Sequence, residues 1–145
     1  MTAAFDTSVL VALLVESDAR RPAALAAFER HVDARVIAAH ALAETFAVLT
    51  RLPGRRLSPV DATAVVTRLA GLVQVVPADA ELQLAAIERC ASIGRSSGSV
   101  YDALHVVSAE RAAAAVLYTF NARHFEPLAT SAAPRIAVPA GGAQT

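Results

Sequence analysis

The chain contains no lysine, since all 13 of its basic residues are arginine. Three kinds of site that normally depend on lysine are therefore disfavoured: the phosphate-binding P-loop, a Schiff-base centre and a receiver-type phosphorylation site. Acidic and basic residues are equal in number, so the formal net charge is 0. This balance argues against a protein that coats nucleic acid by bulk charge.

Cysteine and aromatic residues are also scarce. The chain has a single cysteine, Cys90, so a disulfide within the chain is excluded, which fits a reducing compartment. Cys90 lies in a predicted helix and is interpreted as a small core residue. Aromatic residues make up 5% of the chain, too few for the stacking surface of a single-strand binder. Zinc is not expected, because the sequence contains neither an H-x-x-x-H spacing nor a histidine paired with cysteine. The four histidines are His31, His40, His105 and His124.

The amino-terminal segment lacks the basic start of a signal peptide, and the apolar run at residues 9–15 is too short to span a bilayer. We therefore expect a cytoplasmic protein. The 145 residues suffice for one domain, and a hydrophobic content of 55% indicates a globular chain. We expect one domain over residues 1–138 and a flexible tail over residues 139–145.

Short apolar segments alternate with longer helical segments along the chain. This alternation predicts an α/β fold, with a central, mostly parallel sheet of four to five strands and helices on both faces. In such sheets, ligands bind beyond the carboxyl ends of the strands. Strands are predicted at residues 3–6, 35–39, 73–76, 116–120 and 136–138, and helices at residues 8–15, 18–32, 40–52, 58–72, 79–93 and 99–114.

Three acids lie in apolar segments near the predicted sheet edge at which the strands have their carboxyl ends. Asp6 closes the first strand, Asn121 follows the fourth, and Glu44 and Asp102 fall in the first turns of predicted helices that could pack over the edge. Two of the acids have structural alternatives, because Asp6 could cap a helix and Asp102 could complement a helix dipole. A partly buried Glu44 is harder to explain without a partner. Converging carboxylates repel each other and call for a cation, so the set predicts an all-oxygen metal site of a kind that handles phosphates.

Two other catalytic patterns are disfavoured. Residues 94–98 match the G-x-S-x-G nucleophile elbow, but that elbow follows a strand, whereas here a predicted helix precedes it and Gly94 is placed to end the helix. A phosphatase of the haloacid-dehalogenase type needs a second aspartate two residues after the first, and position 8 is Ser8. His105, one turn after Asp102, is kept as a residue that could border the site and orient its ligands.

Several arginines lie near these acids in the sequence. In a phosphate-handling site, such groups could hold backbone phosphates through bidentate hydrogen bonds. Ordinary solvated surface residues are the alternative, and for Arg55 and Arg56 both interpretations stay open. The candidates for RNA binding are Arg51, Arg55, Arg56 and Arg123.

Four segments carry a family resemblance in a fixed order along nearly the whole chain. They read FDTSVL from residue 5, AETF from residue 43 with LTRLP from residue 49, YDALH from residue 101 and YTFNARHF from residue 118. Together they resemble the PIN-domain ribonucleases and, in length and layout, the VapC-type toxins of bacterial toxin–antitoxin pairs. The resemblance implies an endoribonuclease that depends on Mg²⁺ or Mn²⁺, a small cognate antitoxin and a homodimer.

The resemblance also assigns roles to residues. Asp6, Glu44 and Asp102 take the places of the metal-binding acids, and Asn121 completes the catalytic set. Many members carry a fourth aspartate where this chain has Asn121, so the site would hold one negative charge fewer. A weakly active or inactive binding module, acting through protein or RNA, is therefore the alternative function. The supporting hydroxyl groups would be those of Thr7, Ser8 and Thr119.

Overall fold

The fold is a parallel sheet covered on both faces by helices, and the computed structural model describes residues 1–140 of it. The strand order is β3-β2-β1-β4-β5, and each neighbouring pair is parallel. The predicted α/β class and parallel sheet are thus confirmed, while residues 141–145 of the predicted tail lie outside the described residues. The strands are β1 (Ala3–Phe5), β2 (Arg35–Ala38), β3 (Gln74–Val76), β4 (Val116–Tyr118) and β5 (Arg135–Ala137).

Five of the six predicted helices are shorter than the sequence predicts, because local caps and turns end them early, whereas the first helix keeps its predicted length of eight residues. The predicted helix 18–32 begins only at Arg21, because Asp18 forms a turn in which its Oδ1 accepts a hydrogen bond from the backbone N–H of Arg20. The short helix α7 was not predicted, since four residues carry no measurable periodicity. The helices are α1 (Thr7–Leu14), α2 (Arg21–Arg30), α3 (His40–Leu49), α4 (Pro59–Ala70), α5 (Ala80–Ser92), α6 (Ser99–Arg111) and α7 (Ala122–Phe125).

The core consists of two apolar clusters, one on each face of the sheet. In β1, Ala3 and Phe5 pack into the cluster under α1 and α2, whereas Ala4 packs into the cluster under α5 and α6. A central parallel strand buried on both faces is apolar throughout, which is why β1 shows no polar alternation. Cys90 is buried in the cluster under α5 and α6. Gly94 follows the end of α5 with φ +70°, a left-handed conformation that glycine adopts without strain.

The chain reverses its direction across the sheet between β1 and β4. From β1 the chain moves outward to β2 and β3, then returns to the other side of β1 to form β4 and β5. The carboxyl ends of β1 and β4 therefore flank the crevice in which open α/β sheets bind ligands. Among residues 1–140, no helix combines the length and apolar character that a membrane crossing requires.

Candidate active site

Asp6 follows β1 at this crevice and is held by three hydrogen-bond donors. Its Oδ1 accepts from the Val9 N–H at 3.2 Å, which caps α1, and from Ser8 Oγ at 2.7 Å. Its Oδ2 accepts from Thr119 Oγ1 at 2.8 Å, which joins β1 to the end of β4. Burial raises the pKa of Asp6, although the charge of His105 and these hydrogen bonds act in the opposite direction. Asp6 is therefore a helix cap and also a member of the acid group.

Two hydroxyl groups link Asp6 to the segment after β4. Ser8 Oγ accepts from the Phe120 N–H at 3.0 Å, and Thr119 Oγ1 accepts from the Asn121 N–H at 2.9 Å. Each hydroxyl thus passes one hydrogen bond on to the Asp6 carboxylate and receives one from the backbone. The segment that carries Asn121 is consequently fixed relative to β1.

Glu44 reaches the crevice from the second turn of α3 and not from the first turn as predicted, because it is the fifth residue of a helix that begins at His40 as predicted. Its Oε1 accepts from Thr7 Oγ1 at 2.6 Å and from His105 Nε2 at 3.1 Å, and it lies 3.3 Å from His40 Nε2. Burial acts to raise the pKa of Glu44, but the hydrogen bonds from His105 and Thr7 outweigh it, so the pKa is lowered. All these contacts use one oxygen, which leaves Oε2 without a hydrogen-bond partner among the described residues.

Asp102 enters from the first turn of α6 and is half-buried. Unlike the other two acids, its carboxylate makes no hydrogen bond within the part of the chain that the structure describes. Burial raises the pKa of Asp102, and the negative charge of Asp6 adds to that rise against the opposing charge of His105. The site thus contains a carboxylate whose ionisation is disfavoured until a cation compensates it.

The acids line one open cavity of about 360 Å³. The structure brings Asp6, Glu44, Asp102 and Asn121 together around it, with Thr7 and Ser8 in the wall. Apolar walls are supplied mainly by α1 and α3. The further polar residues that line the cavity are Asp18, Arg20, Arg55 and His105.

The predicted arginines separate into two groups. Arg55 lines the cavity, whereas Arg51, Arg56 and Arg123 are exposed and do not line it. Arg51 lies outside α3, because that helix ends at Leu49 rather than at the predicted residue 52. Arg20 lines the cavity and was missed by the sequence reasoning. Its only sequence signal is an aspartate two residues earlier, just after the end of an apolar helix.

The structure also pairs two histidines for which the sequence shows no spacing motif. His40 from α3 and His105 from α6 both reach Glu44 Oε1, and their rings lie 4.3 Å apart between centroids. Burial and the charge of His105 lower the pKa of His40 to about 4, so His40 is neutral at neutral pH. The pairing arises between two helices, which is why local spacing along the chain cannot reveal it.

The donor set fits a divalent cation that prefers oxygen ligands. Glu44 Oε2 and the Asp102 carboxylate have no hydrogen-bond partner among residues 1–140, and Asp6 Oδ2 accepts a single bond. Magnesium and manganese select carboxylate oxygens and water. The nitrogen atoms of His40 and His105 lie within 4.8 Å of Glu44 Oε1 but are directed at the oxygen that already accepts hydrogen bonds. Carboxylate oxygens that have no hydrogen-bond partner among residues 1–140 thus belong to residues that line the cavity.

Comparison with known proteins agrees with this geometry. The family model of the PIN domain matches residues 3–129. A curated relative, Ribonuclease VapC27 of Mycobacterium tuberculosis (strain ATCC 25618 / H37Rv), is 37% identical over 107 residues, which are 73% of this chain and 75% of the relative.

Solved structures resemble this fold over most of its length. VapC20 of Mycobacterium tuberculosis, a toxin that cleaves the sarcin-ricin loop, aligns with a TM-score of 0.70 and 27% identity over 85% of this chain and 92% of that chain. DNA-bound VapBC from Salmonella typhimurium aligns with a TM-score of 0.70 over 97% of this chain and 99% of that chain. At 19% identity, the second likeness shows the fold alone.

Proposed function

Since the chain belongs to the PIN-domain family and, within it, to the VapC-type ribonucleases, we propose that it is a metal-dependent endoribonuclease and the toxin of a toxin–antitoxin pair. The observation that carries this proposal is the convergence of three carboxylates from three separate elements on one cavity at the switch point of the sheet. Charged groups gathered at such a cost mark a functional site.

The residues present suit a bound Mg²⁺ or Mn²⁺ ion. Asp6 and Asp102 would hold it directly, and Glu44 would do so through Oε2, either directly or through a water molecule. When bound, such an ion supplies a water of lowered pKa and offsets negative charge on a phosphodiester. Asn121 offers a neutral oxygen in place of a fourth acid, so this chain would hold the ion with less charge than a four-acid site.

The protein side chains have separate tasks in this scheme. Thr7 and His105 donate to Glu44 Oε1, which fixes the carboxylate and leaves its other oxygen without a hydrogen bond among residues 1–140. Ser8 and Thr119 hold Asp6 in the same way. The polar contacts outside the ligand set therefore preorganise it, and losing such contacts commonly weakens a metal site by about 10- to 100-fold.

Substitution of the acids tests the proposal. We expect Asp6→Asn and Asp102→Asn each to abolish Mn²⁺-dependent cleavage of a labelled RNA, while circular dichroism shows that the fold survives. Asp33→Asn is the matched control, because Asp33 is exposed and lies outside the cavity. Cleavage at the wild-type rate by both cavity variants would refute the assignment of these acids.

We also propose a small antitoxin partner, a homodimer and a cytoplasmic site of action. The antitoxin proposal is supported by the likeness to VapBC, a fold neighbour that was solved bound to DNA. An inactive binding module is the second candidate, and Asn121 in place of a fourth acid is the observation that favours it. The two candidates differ in metal binding, since the module has no need of a cation.

A further inference from the structure

We propose that Arg20, with Arg55 beside it, forms a phosphate subsite that holds an RNA phosphodiester next to the one at the carboxylates. This inference rests on the proposed ribonuclease function, because it names how the same cavity would hold its substrate. The subsite lies at the end of the cavity formed by the connection between α1 and α2. Its ligand class is the backbone of a polyanion rather than a small neutral molecule.

The Arg20 guanidinium is fixed from two sides. Its Nε donates to Asp18 Oδ1 at 3.1 Å and its Nη2 donates to Asp18 Oδ2 at 3.0 Å, a bidentate pair. Its Cζ also lies 4.8 Å from the centroid of the Phe120 ring. A guanidinium already held in place loses little side-chain entropy when it binds a phosphate.

The exposed Arg20 side chain has an N–H group that is available to a ligand. It is 47% exposed, and its Nη1 makes no hydrogen bond within the part of the chain that the structure describes. The Arg20 side chain lines the same cavity as the acids, so a ligand bound in that cavity could use its remaining donors.

A chain of hydrogen bonds links this arginine to the acid group. Phe120, under the guanidinium, donates its backbone N–H to Ser8 Oγ at 3.0 Å, and Ser8 donates to Asp6 Oδ1 at 2.7 Å. The position of Arg20 relative to Asp6 is therefore set by the fold. A fixed separation between a cation site and an arginine suits a substrate with regularly spaced phosphates.

The charge balance at this end of the cavity supports the same conclusion. Arg55 lines the cavity too, and its Nη1 donates to Ser17 Oγ at 3.1 Å in the same connection. Arg20 and Arg55 together outweigh Asp18 by one positive charge, and they line the same cavity as the three acids. A phosphodiester chain laid across the cavity would meet both a bound cation and this positive charge.

The competing explanation is an ordinary surface ion pair that stabilises the connection between α1 and α2. Exposed pairs of that kind contribute little stability. The two explanations predict different results for Asp18. If the pair is only structural, losing either partner has the same effect. If Arg20 binds phosphate, Arg20→Ala weakens RNA binding more than Asp18→Asn does, because the asparagine variant keeps the arginine and loses both its fixing partner and a repelling charge.

The test measures RNA binding apart from cleavage. Fluorescence anisotropy of a fluorescein-labelled, mixed-sequence single-stranded RNA is followed over a KCl series in EDTA, with each variant in an Asp102→Asn background. EDTA prevents metal-dependent cleavage, and the background removes one repelling carboxylate. Variants at the subsite are Arg20→Ala, Arg20→Lys and Asp18→Asn. Arg30→Ala is the matched control, because Arg30 is exposed on α2 and does not line the cavity.

We expect Arg20→Ala to weaken binding about tenfold, in line with the loss of a charge-assisted hydrogen bond. The slope of log affinity against log salt should fall by about 0.7, the value for one phosphate contact on a single strand. Arg20→Lys should recover the slope but only part of the affinity, since lysine lacks the planar fork. Asp18→Asn should weaken binding less than Arg20→Ala, because the loss of the contact that fixes Arg20 and the loss of a repelling charge act in opposite directions, and Arg30→Ala should match the parent.

Two results would overturn the subsite. One is an RNA affinity of Arg20→Ala equal to that of Arg30→Ala, and the other is an equal loss of RNA affinity in Arg20→Ala and Asp18→Asn. In the otherwise wild-type chain with Mn²⁺, Arg20→Ala should raise KM for RNA cleavage with little change in kcat, a split that simple destabilisation does not produce. If the binding results hold but the wild-type chain cleaves no RNA with Mn²⁺, the nuclease proposal fails and the phosphate subsite remains.

Discussion

Asp6 and Asp102 border the same cavity, yet the protein surrounds them differently. Asp6 is 3% exposed and receives three hydrogen bonds, from Ser8, Val9 and Thr119. Asp102 is half-buried and makes no hydrogen bond among the described residues. Burial raises the pKa of both carboxyl groups, so neither ionises in the folded chain as readily as in water.

The difference separates structural from ligand-binding demands within one site. The Asp6 carboxylate caps α1 and connects β1 to the end of β4, so these contacts offset part of the free-energy cost of burying its charge. Asp102 gives the fold no comparable hydrogen bond, although its place in the first turn of α6 suits the helix dipole. Its carboxylate, which makes no hydrogen bond among residues 1–140, is available to something that binds there. The two acids should therefore respond in opposite ways to metal and to truncation.

Binding of Mn²⁺ provides the largest expected effect. At a free Mn²⁺ concentration of about 100 Kd, linkage should raise the free energy of unfolding by about 2.7 kcal/mol. Asp102→Asn should lose most of this gain, because it removes a ligand without disturbing any hydrogen bond. Thermal unfolding with and without Mn²⁺ measures both, and Asp33→Asn serves as the control. Equal melting temperatures with and without Mn²⁺ in the wild-type chain would favour the inactive binding module.

Truncation of each acid in EDTA should give the next largest difference. Asp6→Ala removes the cap of α1 and leaves the Thr119 hydroxyl buried without its acceptor, at a cost of about 2 kcal/mol. Asp102→Ala should change stability by less than about 0.5 kcal/mol or increase it, since no native contact is lost. Urea unfolding at neutral pH measures both. An equal loss in the two variants would mean that the structural difference between the acids has no energetic counterpart.

The sequence predicts much of this fold because its signals are local. Apolar strands alternating with helices identify the parallel sheet, and the family match confirms both the α/β class and the resemblance to PIN-domain toxins. Asp6 and Asn121 were correctly placed at one edge, because each follows a central strand. Helix ends were less accurate, since side-chain turns such as Asp18 with Arg20 decide them.

The remaining features depend on tertiary contacts that no local pattern encodes. His40 and His105 meet at Glu44 only because α3 and α6 pack over the same edge. Arg20 enters the cavity through its stacking on Phe120, a contact between distant parts of the chain. Arg51, Arg56 and Arg123 were proposed from proximity in sequence, but proximity along the chain does not determine which side chains face a cavity. The roles of the acids as metal ligands stay predictions.

A pH series in EDTA tests the smallest expected difference, that between wild type and Asp102→Asn. The folded-state pKa of Asp102 is raised, so its contribution to stability is fully present below the unfolded pKa and is lost as pH rises through the folded pKa. The wild type should therefore lose stability relative to Asp102→Asn as pH rises above the usual aspartate pKa of 3.8.

The other acids affect this comparison less, because Asp6 and Glu44 are present in both proteins. Asp6 has a raised pKa and Glu44 a lowered pKa, and because both residues occur in both proteins, their contributions drop out of the difference except for their coulombic coupling to Asp102. Saturating Mn²⁺ should reverse the sign, because a bound cation favours the ionised Asp102 and the wild type then gains relative to the variant as pH rises. Urea unfolding at each pH measures the difference. A flat difference in both conditions would show that Asp102 is neither disfavoured in the metal-free protein nor a ligand of the cation.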